Sequence, residues 1–282
     1  MAEAAGVGPA DTIVIRPEQG LASLQLGELW NYRELLGFLA WRDIRVRYKQ
    51  SVLGVLWALV TPLATVTIFS VIFGRVARIP SDGVPYPIFC YVGLLPWLFF
   101  SQSLQRATAS MVAERNLLTK VYFPRLIVPV AATLAPLVDL AIASSVLFAM
   151  MAWYGLVPAL HAFFLAPLSV VWAWLLAIGV GTLLSAVNVH YRDVGQMIPF
   201  LIQVWMYASP VVYPASMFPE AWRWVLGLNP MVGVIEGLRF AVLGHGSPPV
   251  ASLAVSAGVS LLLLVTGVLS FKRMERTFSD VV

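Results

Sequence analysis

The chain has 282 residues, of which 60% are hydrophobic and only 11% are charged, and its mean hydropathy is +0.84. This composition leaves too little polar surface to cover a soluble globule of that length, so we expect an all-α polytopic membrane protein. The net charge of +4 does not indicate nucleic-acid binding, because the cations lie beside apolar segments and form no basic stripe on a soluble face.

The N-terminal part of the chain is predicted to lie on the cytoplasmic side of a membrane. Residues 1–26 contain acidic side chains and lack the apolar core of a secretory signal, so we interpret them as a mobile cytoplasmic tail. Residues 27–50 are predicted to form an amphipathic helix lying in the membrane surface, with cations on one face and aromatic rings on another. Its residues expected to contact lipid headgroups are Trp41, Arg42, Arg45, Tyr48 and Lys49.

Apolar segments of membrane-crossing length follow this helix. From Val52 to Phe73 no charged residue occurs over 22 positions, which at about 1.5 Å per residue covers the roughly 30 Å hydrocarbon thickness. By the same criterion we predict six transmembrane helices, at about 52–73, 86–105, 126–154, 160–187, 194–213 and 250–271. Pro129 and Pro136 are expected to kink the third span.

The segment between the fifth and sixth spans has to leave and re-enter the membrane on one side. The basic cluster after the last span predicts a cytoplasmic C-terminus, so residues 214–249 must start and end outside. Pro219 and the Asn229-Pro230 pair divide this apolar segment into pieces too short to span. We therefore predict two short re-entrant helices, about 219–227 and 231–243, whose broken backbone is buried in protein.

The distribution of cations agrees with this topology. Of the 18 Lys and Arg residues, 14 fall on the predicted cytoplasmic side and 4 on the outside, with both termini in the cytoplasm. The transmembrane domain is predicted to extend over residues 51–273, with a cytoplasmic tail at 274–282.

Two cytoplasmic connections are candidates for contact with a soluble partner. Residues 106–125 contain four cations, and within them Glu114 to Lys120 is predicted to form a short helix that a partner can push. The alternative is a basic loop that only sets topology. The predicted contact residues are Glu114, Arg115, Asn116, Leu117, Leu118 and Lys120, with the two leucines free to enter a groove. The turn formed by Tyr191, Arg192 and Asp193 is interpreted either as a turn with a local ion pair or as a hinge.

The sequence contains no recognisable catalytic, nucleotide or metal motif. The pattern GxxxxGK(S/T) is missing, so ATP and Mg²⁺ are expected in another subunit and no cofactor in this chain. No HExxH, paired-cysteine or Ser/His/Asp spacing occurs either. The three histidines, His161, His190 and His245, are interpreted as ordinary loop or interface residues.

Asp139 is the one ionisable residue predicted to lie deep inside a span. A charge there is costly, so a functional site is the first suspicion. The alternative is a structural hydrogen-bonded pair within the bundle, formed with Gln203 or with a helix hydroxyl, and this structural interpretation is favoured.

Aromatic rings are dense at both ends of the predicted spans. Interface belts and core packing account for most of them. Others are interpreted as lining a conduit, because aromatic faces stack on the C–H surfaces of sugars without binding them tightly. The candidates for this substrate path are Trp57, Phe69, Phe73, Trp205 and Tyr207.

Several segments, taken in order, resemble a known family. They are RDIRVRYKQSVLGVLWALVTP at 42–62, GLLPWLFFSQSL at 93–104, ERNLLTKVYFPR at 114–125, NVHYRDV at 188–194, SPVVYP at 209–214 and LNP at 228–230. With this order and spacing the chain resembles the type-2 ABC transporter permeases that export bacterial surface polysaccharide. The resemblance covers nearly all of the chain from about residue 30, and the wording of the motifs is nearer to the O-antigen branch than to the capsule branch.

The resemblance implies a multisubunit exporter in the bacterial inner membrane. It implies a homodimer of six-span subunits bound to two copies of an ATPase subunit, moving a lipid-linked polysaccharide, in the first place O-antigen, outward through the lipid bilayer. It also implies that the surface helix gates the cytoplasmic entry, that residues 114–120 dock on the ATPase, and that the re-entrant pair closes the outer mouth.

The sequence is also compatible with other functions. Within the same family, a capsule or teichoic acid exporter is the alternative to an O-antigen exporter. A membrane-embedded enzyme acting on lipid-linked sugars would need carboxylates near the membrane surface, for which Asp193 and Glu236 are the few candidates. A proton-driven transporter would need a relay of intramembrane acids around Asp139, which the sequence does not contain.

Overall fold

The computed structural model describes residues 26–49, 52–120, 123–244 and 250–278. Residues 1–25 and 279–282, which belong to the two predicted tails, lie outside the described residues. In the described part of the chain every regular element is helical, which confirms the predicted all-α fold. The α-helices are α1 (Leu26–Asn31), α2 (Arg33–Lys49), α3 (Val52–Phe69), α4 (Tyr86–Ala113), α5 (Arg115–Lys120), α6 (Ile127–Ala132), α7 (Pro136–Trp153), α8 (Ala162–His190), α9 (Asp193–Tyr207), α10 (Arg223–Gly227), α11 (Pro230–Leu243) and α12 (Val250–Glu275).

Five helical segments are long and apolar enough to cross a membrane. They are Leu56–Val76, Tyr86–Ala113, Ile127–Trp153, Ala162–His190 and Val250–Glu275, and they correspond to the predicted first, second, third, fourth and sixth spans. The first consists of α3 and a π-helical continuation, Ser70–Val76. The third is interrupted between α6 and α7, where Pro136 starts a new helix, as the predicted kink requires.

At two places the helix ends differ from the predicted span ends. The second span was expected to end near 105, but α4 continues to Ala113 because no glycine or proline interrupts it after Pro96. The fifth span was expected to reach 213, but α9 has 15 residues and ends at Tyr207, with turns following it. Pro210 explains this early end, since a proline disfavours helical backbone in the residue before it.

The centre of the fold is α4, whose apolar window is 83% buried. Small residues allow its neighbours to approach closely: a Cβ atom added to Gly181 of α8 would lie 2.6 Å from the Cβ of Ala107. A similar crossing joins α8 to α12, where a Cβ on Gly267 would overlap the carbonyl oxygen of Gly179. By contrast, only 11% of the apolar window that contains α3 is buried. Most of the first span is therefore free to face lipid or another subunit.

The predicted re-entrant pair is present as a sharply bent hairpin. The segments Glu220–Gly227 and Pro230–Leu243 meet at an angle of 111°. Asn229 starts α11: its Oδ1 accepts a hydrogen bond from the Met231 N–H at 3.1 Å, and Pro230 occupies the first helical turn. A backbone carbonyl freed at the break, that of Gly227, is hydrogen-bonded within the protein: Ser256 Oγ donates to it at 3.0 Å.

The bundle has two chemically different ends. At the α2 end, a cluster of apolar side chains joins α2 to α4, α6, α8 and α12 and includes Leu39, Met111, Ile127, Val189 and Phe271. At the hairpin end, the loops after α3 and α9 meet the re-entrant hairpin; there Tyr86 Oη donates to the carbonyl of Val212 at 2.7 Å.

Candidate functional site

Six ionisable side chains meet at the α2 end, and we call them the α2 charge cluster. They are Arg42, Asp43, Arg47, Arg106, Glu114 and Asp139. They come from α2, from α4 and the residue after it, and from α7, so the cluster links elements that are far apart in sequence. Three guanidinium groups face three carboxylates, and the cluster is formally neutral. Charge balance of this kind lowers the cost of holding ions at the edge of a membrane domain.

Arg42 connects α2 to the residue that precedes α5. Its Nη2 donates to Glu114 Oε1 at 2.5 Å and its Nη1 donates to Oε2 at 3.1 Å, so the contact is bidentate. Arg42 also donates to Asp43 Oδ1. The hydrogen bond to Glu114 is the largest cause that raises the pKa of Arg42 above its ordinary value. The predicted headgroup contact of Arg42 therefore meets a guanidinium already occupied within the chain.

Asp139 is buried, with 6% of its surface exposed, and its partners come from α2. The hydroxyl of Tyr48 donates to Oδ1, and Arg47 Nη2 lies 2.7 Å from Oδ2. Burial and then the bond to Asp139 raise the pKa of Tyr48 to about 12, so the hydroxyl stays protonated at physiological pH. The predicted pairing with Gln203 is wrong, because Gln203 lies on the exposed face of α9. The other predicted partner, a hydroxyl on a helix, is present as that of Tyr48. The helical periodicity of α2 had predicted that Tyr48 contacts lipid.

The remaining headgroup candidates lie on the surface of α2. Trp41 is 61% exposed, and Arg45 and Lys49 are exposed as well. Contact of these three residues with lipid stays a prediction.

The predicted partner-contact helix is α5, which begins one residue after Glu114. Arg115, Asn116 and Lys120 are exposed on it. Leu117 and Leu118, predicted to be free to enter a groove, are instead half-buried against the apolar cluster of the α2 end. The reason is that α5 folds back on the bundle, so its apolar side is already covered. Its available surface is therefore polar.

Two cavities adjoin the α2 charge cluster, and Arg47 lines both. One, of about 530 Å³, is lined by Arg42, Asp43, Arg106 and Glu114. The other, of about 230 Å³, is lined by Trp57, Gln102 and Asp139. Arg47 therefore forms part of the wall between a charged cavity and one that reaches the first span.

The five aromatic candidates for a substrate path fall into two groups. Trp57 is 67% exposed and Tyr207 is 52% exposed. Trp205 packs inward: its Nε1 donates to Asn229 Oδ1 at 2.9 Å, and its ring meets that of Phe100 edge-on at 5.0 Å. Phe69 and Phe73 are half-buried and pack against each other with centroids 5.6 Å apart. Only Trp57 and Tyr207 present most of a ring to the outside of the protomer.

The turn between α8 and α9 is held by a residue that the sequence reasoning missed. Asn188 is buried; its Nδ2 donates to the carbonyl of Thr108 at 3.1 Å and its Oδ1 accepts from the Gly195 N–H at 2.8 Å. The signal was available, since an asparagine in an apolar helix needs partners. Tyr191, Arg192 and Asp193 themselves are exposed, and the local ion pair expected between the last two is not formed in this described turn.

At the hairpin end, Arg239 is a second residue that the sequence reasoning did not single out. It is 5% exposed and pairs with Glu236 at 2.9 Å. Its Nη2 donates to the Val211 carbonyl at 2.7 Å, its Nη1 to the Tyr213 carbonyl at 3.3 Å, and its guanidinium lies 3.8 Å from the Phe89 ring centroid. Glu236, a candidate base for the alternative enzyme function, is therefore already paired with Arg239. Among the described residues no three His, Cys, Asp or Glu side chains lie close enough to hold a metal ion.

Comparison with known proteins extends this picture to a family. Residues 34–243 match the family described as ABC-2 type transporter. The chain is 31% identical over 256 residues to the O-antigen export system permease protein RfbA of Myxococcus xanthus, covering 90% of this chain and 97% of that protein. It is 26% identical to RfbA of Klebsiella pneumoniae, covering 88% and 95%. It is also 26% identical to the polysialic acid transport protein KpsM of Escherichia coli, covering 83% and 91%.

The match spans the region that contains the α2 charge cluster, α5 and the re-entrant hairpin. Members of this family are transmembrane subunits that lack a nucleotide-binding domain. The chain therefore belongs to the ABC-2 type transporter family and is one of its multi-pass membrane permeases.

Proposed function

We propose that this permease exports a lipid-linked O-antigen polysaccharide across the bacterial inner membrane. The observation that carries the proposal is the likeness to an O-antigen export permease over 97% of that protein's length. An O-antigen permease from a second organism supports it at 26% identity over 88% of this chain. The energy comes from ATP, bound with Mg²⁺ by a separate ATPase subunit, because ABC-2 permeases carry no nucleotide site of their own.

The working assembly is a homodimer of this chain with two copies of the ATPase. The first span supports a dimer, because its apolar window is only 11% buried within one protomer. Trp57 on α3 and Tyr207 on α9 present exposed rings. We propose that these two rings face the glycan path, where stacking on sugar C–H surfaces guides a chain without trapping it.

The orientation follows from charge. Both termini, α2 and α5 lie in the cytoplasm, and the re-entrant hairpin lies outside, because the topology predicted from the sequence assigns 14 of the 18 cations to that cytoplasmic side. The polar surface of α5 docks on the ATPase, and α2 gates the cytoplasmic entry. Single cysteines in intact cells test this orientation. Ser216→Cys should react with an impermeant maleimide, and Lys120→Cys should react only after permeabilisation. Reaction of Lys120→Cys in intact cells would reverse the topology.

Reconstitution tests the transport function itself. The permease and its ATPase are placed in proteoliposomes that contain lipid-linked O-antigen, and the glycan delivered to the far leaflet is measured with a specific antibody. Delivery should require ATP and should stop when the ATPase lacks its catalytic base. Delivery without the ATPase would contradict the proposal.

Capsule polysaccharide is the second candidate substrate, supported by the 26% identity to a polysialic acid transport protein over 83% of this chain. Mass analysis of the lipid retained by the purified complex separates the two. A retained O-antigen repeat supports the first proposal, and a retained acidic capsule glycan replaces it with the second.

A further inference from the structure

Asp139 pairs with one guanidinium group, and a second guanidinium group lines the cavity beside that pair. Arg47 of α2 lies 2.7 Å from its Oδ2, and Tyr48 donates to its Oδ1. Arg106 of α4 lines the same cavity as Arg47, the ion-pair partner of Asp139. In the described residues Arg106 forms no ion pair of its own. Arg106 is thus an unused cation beside a carboxylate that already has one.

The helix that supplies Arg47 is weakly anchored. Of the 17 residues of α2, only Leu39 and Ala40 are buried. Leu35 and Leu36 are half-buried against the apolar cluster of the α2 end. Further along α2 the ties to the bundle are polar: Arg42 to Glu114, and Arg47 with Tyr48 to Asp139. No side chain of residues 41–49 is fully buried, so displacement of this C-terminal half of α2 is limited mainly by what happens to the buried carboxylate left behind.

We propose that α2 is a detachable latch and that Asp139 exchanges partners, from Arg47 when α2 is docked to Arg106 when α2 lifts away. The exchange keeps the carboxylate neutralised in both states, so neither state contains an unpaired buried charge. The two states are then close in energy, as a switch requires.

The ion pair between Arg42 and Glu114 determines which element moves the latch. Glu114 immediately precedes α5, and Arg42 holds it bidentately. A displacement of α5 is therefore passed to α2 through a contact with fixed geometry, while the Asp139 contact is the one that exchanges. This step rests on the proposed function, in which the ATPase moves α5. The exchange itself does not depend on it.

Thiol accessibility at residue 40 measures whether the latch is docked. Ala40 lies on the buried face of α2, and the single native cysteine, Cys90, is removed as Cys90→Ala. In nanodiscs, Ala40→Cys should react slowly with a small maleimide. Adding Asp139→Asn should accelerate the reaction at least threefold, because Arg47 loses its counter-ion. Arg33→Gln, at an exposed position of the same helix, is the control and should change nothing.

A second measurement guards against general unfolding. With Ala40 intact and Cys90 present, Cys90 should remain unreactive in the Asp139→Asn variant, since it is fully buried in the core. If residue 40 reacts at the parent rate in Asp139→Asn, or if Cys90 becomes reactive as well, the latch is refuted.

A mutant cycle tests the exchange without any ATPase. Arg47→Gln and Arg106→Gln should each lower the unfolding temperature slightly, because the other guanidinium still neutralises Asp139. The double variant should lower it by clearly more than the sum of the two, and adding Asp139→Asn should restore most of the loss. Additive effects, or no rescue by Asp139→Asn, would overturn the exchange.

The complex with the ATPase tests the link to α5. Addition of ATP should raise the reactivity of Ala40→Cys in the parent, should fail to do so with Arg106→Gln, and should do so again with Arg106→Gln combined with Asp139→Asn. An ATP response in Arg106→Gln equal to that of the parent would overturn the exchange as the gating step. No response in the parent would contradict the proposed coupling to the ATPase, while the two ATP-independent tests still decide on the latch.

Discussion

The two ends of this bundle use arginine in opposite ways. At the hairpin end, Arg239 bonds backbone carbonyls of residues 211 and 213, and the helix that carries it, α11, buries 10 of its 14 residues. At the α2 end, Arg42 and Arg47 bond only side chains, and α2 buries two of its 17 residues. Backbone carbonyls cannot be replaced as partners, whereas one cation can replace another at a carboxylate. The first arrangement therefore fixes a position, and the second allows it to change.

The largest expected effect is at the hairpin end. Arg239→Ala leaves the half-buried Glu236 without its cation and two carbonyls without donors, and we expect a loss of about 3–5 kcal/mol of stability. The matched control is Arg223→Ala, whose ion pair with Glu220 is exposed and contributes less than about 1 kcal/mol. Thermal unfolding in detergent measures both. Equal losses in the two variants would mean that the buried bonds of Arg239 stabilise the hairpin end no more than an exposed ion pair does.

Two tryptophans are also expected to differ in their contribution to stability. Trp205→Ala removes a ring packed on Phe100 and the hydrogen bond to Asn229 at the hairpin break, so we expect a loss of about 2–4 kcal/mol. Trp57→Ala removes an exposed ring and should leave stability nearly unchanged while lowering export of long glycans. Unfolding temperature and export are measured on both variants. Destabilisation by Trp57→Ala would return this ring to a packing role.

The Arg42–Glu114 contact is expected to affect transport more than stability. Arg42→Glu should reduce export about tenfold, equivalent to roughly 1.4 kcal/mol, while the partly exposed pair contributes little to folding. The exchanged pair, Arg42→Glu with Glu114→Arg, should recover most of the export because the attraction is restored. Export per assembled complex is the measurement. Failure of the exchanged pair to recover would mean that Arg42 acts through another partner.

The smallest expected effect is that of Tyr48→Phe. This change removes one hydrogen bond to Asp139 but leaves the Arg47 ion pair, so it should weaken docking of α2 by about 0.5–1.5 kcal/mol. The maleimide rate at Ala40→Cys should rise, but less than in Asp139→Asn. A rise larger than that of Asp139→Asn would make the tyrosine, and not the carboxylate exchange, the main anchor.

The spans and the re-entrant hairpin could be predicted because they depend on local properties of the chain. Apolar length, prolines and the distribution of cations act over some 20 residues and need no knowledge of neighbours. The wrong end of α9 came from extending an apolar run through Pro210, where the backbone could not remain helical. The position of α5 was predicted for the same local reason, whereas the burial of Leu117 and Leu118 depended on a surface formed by other helices.

Apolar composition and segment length alone were enough to predict an all-α polytopic membrane protein, since hydrophobicity decides which segments enter lipid. Only the tertiary structure decided which charges meet. Asp139 is 91 residues from Tyr48, and Glu114 is 72 residues from Arg42. Helical periodicity describes the faces of one helix but not the faces presented by its neighbours. The pairing of buried charges therefore followed from packing: a carboxylate in an apolar bundle is stable only where the fold brings a cation to it.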